Sequence, residues 1–514
     1  MSDRMRVTGM YSGMDTESIV QQLVAAKQTK VDDLKNEQKK LEWKQTAWQD
    51  LNSKIYSLYS KTLSNLRLSG SLKTKKTTCS DTTKATVTAS ASAVDGTQSL
   101  KVKELAKSGY LTGAKINSTN KYSGTNKIAG INNDLLGKKI SVTANVKDDS
   151  GEKALKTTEI EFTEDMTINN FVAKLKEAGV NASFDENNQR FFISSTDTGL
   201  ENEFSISNVD GGDALATLGL DTTVTYANGS VATRINAQDA EIELNGSKFT
   251  SSSNTFNING LTINVLGKTT DDEEISIVTA NDVDGIYETI KNFFSEYNEL
   301  INEMDKLYNA DSARKYNMLS DDEKEAMSDD EVETWENTIK GALLRKDSQL
   351  SSVMNAMTNT MLAGYKVDGK QMYLSDFGIG TLGYFTAKDN EHHAYHIDGD
   401  PDDESTSSKE DKLKKALQED PDKVAQFFSG ICKNLYDSLD KLMQTTDYSS
   451  IYKVYNDKQM KSEYDDYTDK IKKAEEKLSD YEDRWYDKFT RMEQAMAKLQ
   501  SNQSAISGML GTNS

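Results

Sequence analysis

Proline and cysteine are nearly absent from this chain. Its 514 residues include two of each: Pro401 and Pro421, Cys79 and Cys432. With so little proline, long uninterrupted helices are permitted almost anywhere. Two cysteines this far apart make neither a disulfide framework nor a zinc knuckle. No stretch approaches the ~18 consecutive apolar residues of a membrane span. The opening residues, Met1 to Gly9, contain no apolar core of a secretory signal, so any export is expected to use another route. Basic residues are outnumbered as well, 61 Lys+Arg against 82 Asp+Glu, for a net charge of -21 at pH 7. A field of that sign repels phosphate backbones and anionic lipid, so neither nucleic acid nor a membrane surface is expected as a partner.

The length suggests about three domains at roughly 150 residues each. A chain that is 36% hydrophobic and 28% charged is polar for a compact enzyme and suits solvated helices and surface strands. Near the start, Asp15 or Thr16 is placed to cap free backbone amides, and Glu17 suits the positive end of the dipole. The spacing predicts a helix from Glu17 to about Leu68, ended by Gly70 and a Ser/Lys/Thr cluster. Its apolar seam recurs every seventh residue at Leu34, Leu41, Trp48 and Ile55. Three residues further on stand Glu37 and Lys44, then Leu51 and Leu58. The early seam is therefore thin, and the later half has a face fit for a packed core.

The far end of the chain mirrors this pattern. Tyr464, Ile471, Leu478, Trp485, Met492, Leu499 and Ile506 recur at strict seven-residue spacing. Such a period on a 3.6-residue helix implies a left-handed supercoil with a partner. The stretch is about 65 Å long at ~1.5 Å per residue, more than a globular domain needs. Either it packs on itself as a hairpin, or the two chain ends pair with each other and then with neighbouring subunits.

Between the ends the period changes to two. Ala85 to Ala89, Leu100 to Val102, Ile140 to Val146 and Ile160 to Phe162 alternate as strands. Asn228-Gly229, Asn245-Gly246 and Asn259-Gly260 read as type I′ hairpin turns. One helix, about Ile168 to Ala178 with Phe171, Val172 and Leu175 inward, interrupts an otherwise antiparallel β region from about Ala85 to Thr279. Helical spacing returns at Val283, Ile286, Ile290, Phe294, Tyr297 and Ile301, and two capping boxes follow, Ser320 to Glu323 and Ser328 to Glu331. The order helix, strands, helices implies β modules nested in a helical body.

Motifs that could carry chemistry do not survive their context. Gly378, Gly380 and Gly383 match G-x-G-x-x-G, with Asp398 twenty residues on. A dinucleotide site needs a buried strand before the glycines and a helix after them, whereas Tyr384 to Lys388 reads as a strand. His392, His393 and His396 lie within an acidic stretch that reads as a mobile, solvated loop rather than a helix. That stretch also fails as an EF-hand: from Asp398, the sixth position is Asp403 and the twelfth Lys409. No P-loop, H-E-x-x-H or G-x-S-x-G occurs. No enzyme, metal or cofactor is expected.

Several segments, in order along the chain, resemble the flagellar filament cap protein family, also called hook-associated protein 2. They are Gly9 to Val24, Ala89 to Ala106, Asp284 to Ile301, Gly341 to Leu350, Leu374 to Gly380 and Ala416 to Phe428. Residues about 107 to 235 match only in style, and His392 to Lys409 looks like a peripheral insertion whose removal leaves filament growth intact. The resemblance implies an α+β multidomain fold with a helical body, long terminal coiled-coil helices from both chain ends, and nested antiparallel β-rich domains. The expected partition is 1–45 with 466–514 as legs, 46–106 with 282–465 as a mainly helical body, 107–130 with 226–281 as a β-rich domain, and 131–225 as an inserted β-rich domain with one short helix. The expected pairing and oligomer seam is Leu34, Leu41, Trp48 and Ile55 with Ile471, Leu478, Trp485, Met492, Leu499 and Ile506.

The implied function is a structural cap at the distal tip of the bacterial flagellum that promotes folding and insertion of exported flagellin and prevents its loss. The implied protein is extracellular, exported through the flagellar apparatus without a cleaved signal peptide. Implied partners are further copies in a ring, pentameric or similar, flagellin, the hook–filament junction protein and an export chaperone, with a host surface or mucin for an adhesin role. The alternatives are a stand-alone coiled-coil surface adhesin or another flagellar axial protein.

Overall fold

A computed structural model describes residues 11–116, 120–147, 151–209, 211–383 and 385–509. Two compact units emerge, Met1–Leu72 with Val283–Ser514, and Lys73–Asp282. Strands Lys75–Cys79 and Gly96–Glu104 both pair antiparallel with Ile275–Asn281, and Ala85–Ala89 pairs with Leu261–Val265. These ladders put residues 73–106 in the β unit and not in the helical body expected from the sequence. Backbone pairing with strands far along the chain outweighs adjacency to the first helix.

The helical unit opens with Thr16–Ser57, capped by Asp15, whose carboxylate accepts from the Ser18 amide at 3.0 Å. The helix does not run on unbroken to Leu68. Residues Leu58–Leu63 form a π-turn, followed by Ser64–Leu66. The extra residue in that turn lets Leu58, Tyr59 and Leu63 all face inward. Tyr59 Oη donates to Asp440 at 2.7 Å and sits 2.8 Å from the Tyr436 hydroxyl. Trp48, Leu51 and Ile55 then pack into one core with Phe293, Phe294 and Tyr297 of the helix Val283–Tyr308. Phe427 and Phe428 of the helix Pro421–Leu442 join the same core. That helix carries Gly430 where a Cβ would lie 2.3 Å from the Tyr365 ring, so only glycine admits this approach.

The β unit holds two cores. In one, the sheet ordered Lys75–Cys79, Ile275–Asn281, Gly96–Glu104, Ala240–Leu244, Ser247–Ser251 shares a core with a three-stranded sheet around Leu261–Val265. Val102, Ile242 and Ile277 meet Phe256 and Ile263 there. The other core centres on Phe162, Phe171 and Phe191, with the helix Ile168–Glu177 over two further antiparallel sheets. Thr167 and Asn170 close a reciprocal cap at the start of that helix.

Asn245-Gly246 and Asn259-Gly260 turn two-residue hairpins with φ of +50° and +78°, then +47° and +82°. At the third pair only Gly229 takes a positive φ, +74°. Tyr226 and Ser230 pair around a three-residue loop, and Asn228 is held by its side chain to the Lys115 carbonyl at 3.0 Å. That tether replaces the expected type I′ turn.

Candidate partner-binding site: the paired terminal helices

The helix Asp457–Met509 runs antiparallel to Thr16–Ser57. Successive cross-links fix the register. Trp48 stacks on Tyr455 with ring centroids 5.3 Å apart, and Gln38 Nε2 donates to the Tyr464 carbonyl at 3.2 Å and to Thr468 Oγ1 at 2.7 Å. Lys35 pairs with Glu475 at 2.7 Å, and Lys27 lies 5.8 Å from the Tyr481 ring centroid. At the far end Glu493 receives the amides of Tyr11 at 2.9 Å and Ser12 at 3.2 Å, and the Ser12 hydroxyl as well. Those bonds, led by the Ser12 hydroxyl and then the Tyr11 amide, hold the Glu493 carboxyl below its usual range.

The ten seam residues named from the sequence have three fates. Trp48 and Ile55 are fully buried in the body core, and Ile471 is buried. Leu34, Leu41, Leu478, Trp485 and Met492 are half-buried along the helix pair, with Leu34 and Leu478 lining one groove. Leu499 and Ile506 are 64% and 57% exposed.

The partner positions of the first helix are not Glu37 and Lys44. Glu37 pairs with Lys40 at 2.9 Å on the surface, and Lys44 turns to Asp347 at 2.8 Å. The inward series lies three residues before each seam residue, at Val31, Gln38, Gln45 and Asn52, of which Val31 and Asn52 are buried. Sequence reasoning missed these, and Val20 and Glu493; at Gln38, Gln45 and Asn52 polar residues occupy the pairing positions, and their strict seven-residue recurrence was the available signal. Asn52 donates to the Tyr452 carbonyl at 3.1 Å and accepts from the Val454 amide at 3.0 Å, fastening the segment before the last helix.

The other sequence candidates resolve differently. Gly378 ends the short helix Leu374–Phe377 at φ +69°, and Ile379–Thr381 pairs with Tyr395–Ile397. No helix follows the glycines as a nucleotide site needs, and residues 385–388 are not the expected strand. The acidic stretch is not a free loop. Lys291 bonds Asp400 at 2.7 Å and Asp402 at 2.5 Å, Tyr395 and Ile397 enter the core, and His396 Nδ1 lies 2.6 Å from Asp403. Burial would raise Asp403, but the His396 bond and the Ser405 amide outweigh it and hold the carboxyl low. Among the described residues no three His, Cys, Asp or Glu side chains group as metal ligands, and no helix is long and apolar enough to cross a membrane.

The chain matches the family model for the flagellar hook-associated protein 2 N-terminus over residues 12–109 and the model for its C-terminus over residues 237–501. The chain belongs to the flagellar hook-associated protein 2 family. The interval between the two matches contains the whole Phe162–Phe171–Phe191 core. A hook-associated protein 2 from Halalkalibacterium halodurans is 25% identical, with 98% of this chain and 99% of that protein covered. One from Escherichia coli is 24% identical, with 98% of each covered. The crystal structure of the flagellar cap protein D1-D2-D3 domains from Escherichia coli shares the fold at a TM-score of 0.54. It is 19% identical and covers 82% of this chain and 99% of that one. This chain and that cap-protein structure therefore share a fold that combines long helices with antiparallel β domains.

Proposed function

We propose that this protein is the structural cap at the distal tip of a bacterial flagellar filament, where it promotes folding and insertion of exported flagellin and prevents its loss. The observation that carries this reading is end-to-end family membership, with matched segments covering both terminal helices and the body. The work is mechanical, done by surfaces and not by a reacting group. Further copies join this protein in a ring, the β domains form the plate, and the paired terminal helices reach the filament. A thin, partly polar seam suits that role, because it holds the pair together while leaving apolar surface for neighbours. Flagellin, the hook–filament junction protein and an export chaperone are the partners this reading names, and the location is the extracellular tip.

Complementation tests it. Cells lacking their own copy should regain filaments and swimming when this chain is supplied, and gold-labelled antibody should mark filament tips. Label along the shaft, or continued spillage of flagellin from complemented cells, would defeat the reading.

A further inference from the structure

We propose that the groove between the terminal helices docks an acidic amphipathic α-helix of another polypeptide, completing a three-helix bundle. The proposal rests on the reading that this helix pair engages other subunits, and it deepens that reading by stating the partner's chemistry.

The groove has a volume of about 690 Å³. Its apolar floor is Val31, Leu34, Ala474, Leu478 and Tyr481. Its cations are Lys27 and Lys30 from one helix and Lys470, Lys473, Lys477 and Arg484 from the other. No carboxylate lines it, in a chain whose net charge is -21. Among the described residues Lys30, Lys473 and Lys477 have no carboxylate partner. A concentration of one sign against the sign of the whole molecule selects its occupant by charge.

The floor selects a helix. Leu34 lies three residues from Val31, and Leu478 and Tyr481 lie four and seven from Ala474, the spacing of a face that receives a third helix. From Lys470 to Arg484 the groove is about four turns long, roughly 22 Å, matching an occupant of about 15 residues. Cations stand on both walls, so the occupant carries carboxylates on both flanks of its apolar stripe. A second copy presenting this same groove would set cation against cation, which excludes symmetric self-pairing here.

The test uses the full chain and three synthetic peptides of about 18 residues. One carries a Leu/Ile stripe at helical spacing flanked by Glu, one has Lys in place of Glu, and one is polyglutamate. Fluorescence anisotropy should show that the first binds, and that added salt weakens it. A Lys30→Glu/Lys473→Glu/Lys477→Glu variant, checked by an unchanged melting curve, should bind about tenfold less or weaker still. Equal binding of the Lys peptide would reduce the groove to apolar adhesion. Equal binding of polyglutamate would make it a general polyanion site. Either result, no binding, or displacement of the peptide by self-association of the chain would overturn the proposal. In cells, a wild-type chain that fails to restore swimming defeats the capping reading and leaves the peptide result standing. A triple variant that has lost the peptide yet swims normally defeats the groove's role alone.

Discussion

Glu493 accepts a hydrogen bond from the backbone amide of Tyr11 at 2.9 Å, across 482 residues of sequence. With the Ser12 amide and hydroxyl on the same carboxylate, the turn before the first helix is fastened to the side of the last. The two chain ends are thus joined by a specific polar latch as well as by apolar seam contacts.

That latch has a defined pH dependence. Its carboxyl sits below the ordinary value of about 4.3. A depressed carboxyl contributes stability above its unfolded pKa and loses it as pH falls through the folded value. Hydrogen exchange at the Tyr11 and Ser12 amides should be slow near neutrality and accelerate as pH falls through the lowered carboxyl value, once intrinsic exchange rates are corrected for. Glu493→Ala should show the fast behaviour at every pH. Protection that persists in the alanine variant would show the latch to be incidental.

The helix pair and the body should respond separately to seam mutations. Leu478→Asp with Met492→Asp places charges on half-buried seam positions outside the body core. Truncation to about 46–465 removes the same pairing. Both should keep the body's melting transition by circular dichroism and abolish swimming. Trp48→Ala is the contrast, because Trp48 is fully buried and stacked on Tyr455. It should cost about 3–5 kcal/mol of body stability.

Asn52 carries a second testable role. Its two backbone bonds fasten Tyr452, which holds a positive φ of +63°, unusual for a bulky residue. Asn52→Ala leaves the buried Val454 amide and the part-buried Tyr452 carbonyl without their side-chain partner and should cost about 1–3 kcal/mol in urea unfolding. Tyr452→Gly in the wild-type background should recover about 1 kcal/mol by relieving the left-handed strain.

Gly430→Ala should destabilise the body by about 1–3 kcal/mol, because the new methyl meets the Tyr365 ring. Tyr365→Ala in the same chain should recover part of that loss. A strictly additive double-mutant cycle would show that the close approach is not the cause.

Excision of 392–409 should destabilise the body, contrary to the expectation of a peripheral insert. Tyr395 and Ile397 leave the core with it, and Lys291 loses both carboxylates. Deleting buried side chains of that size costs at least about 3 kcal/mol. An unchanged melting temperature would return the stretch to the surface.

Local rules were enough to read the elements. Seven-residue spacing, the Asp15 and Ser-x-x-Glu caps, period-two strands and two of the three Asn-Gly turns are set by neighbours within a turn or two, so one chain suffices to see them. Long-range choices were not legible. The strands 75–104 joined the β unit because their ladder partners lie near residues 240–281. Asn228 left its hairpin role because Lys115 offered a carbonyl. The acidic stretch folded because Lys291 stands on the helix beneath it. Beyond Val31 the pairing face of the first helix is polar and gives no hydrophobic signal, since Gln38 and Asn52 acquire meaning only when Tyr464 and Val454 arrive to bond them. Sequence by itself determined the periods, the caps and the family. Tertiary structure decided which backbone and carboxylate each polar side chain would meet, because those bonds form between groups more than a hundred residues apart.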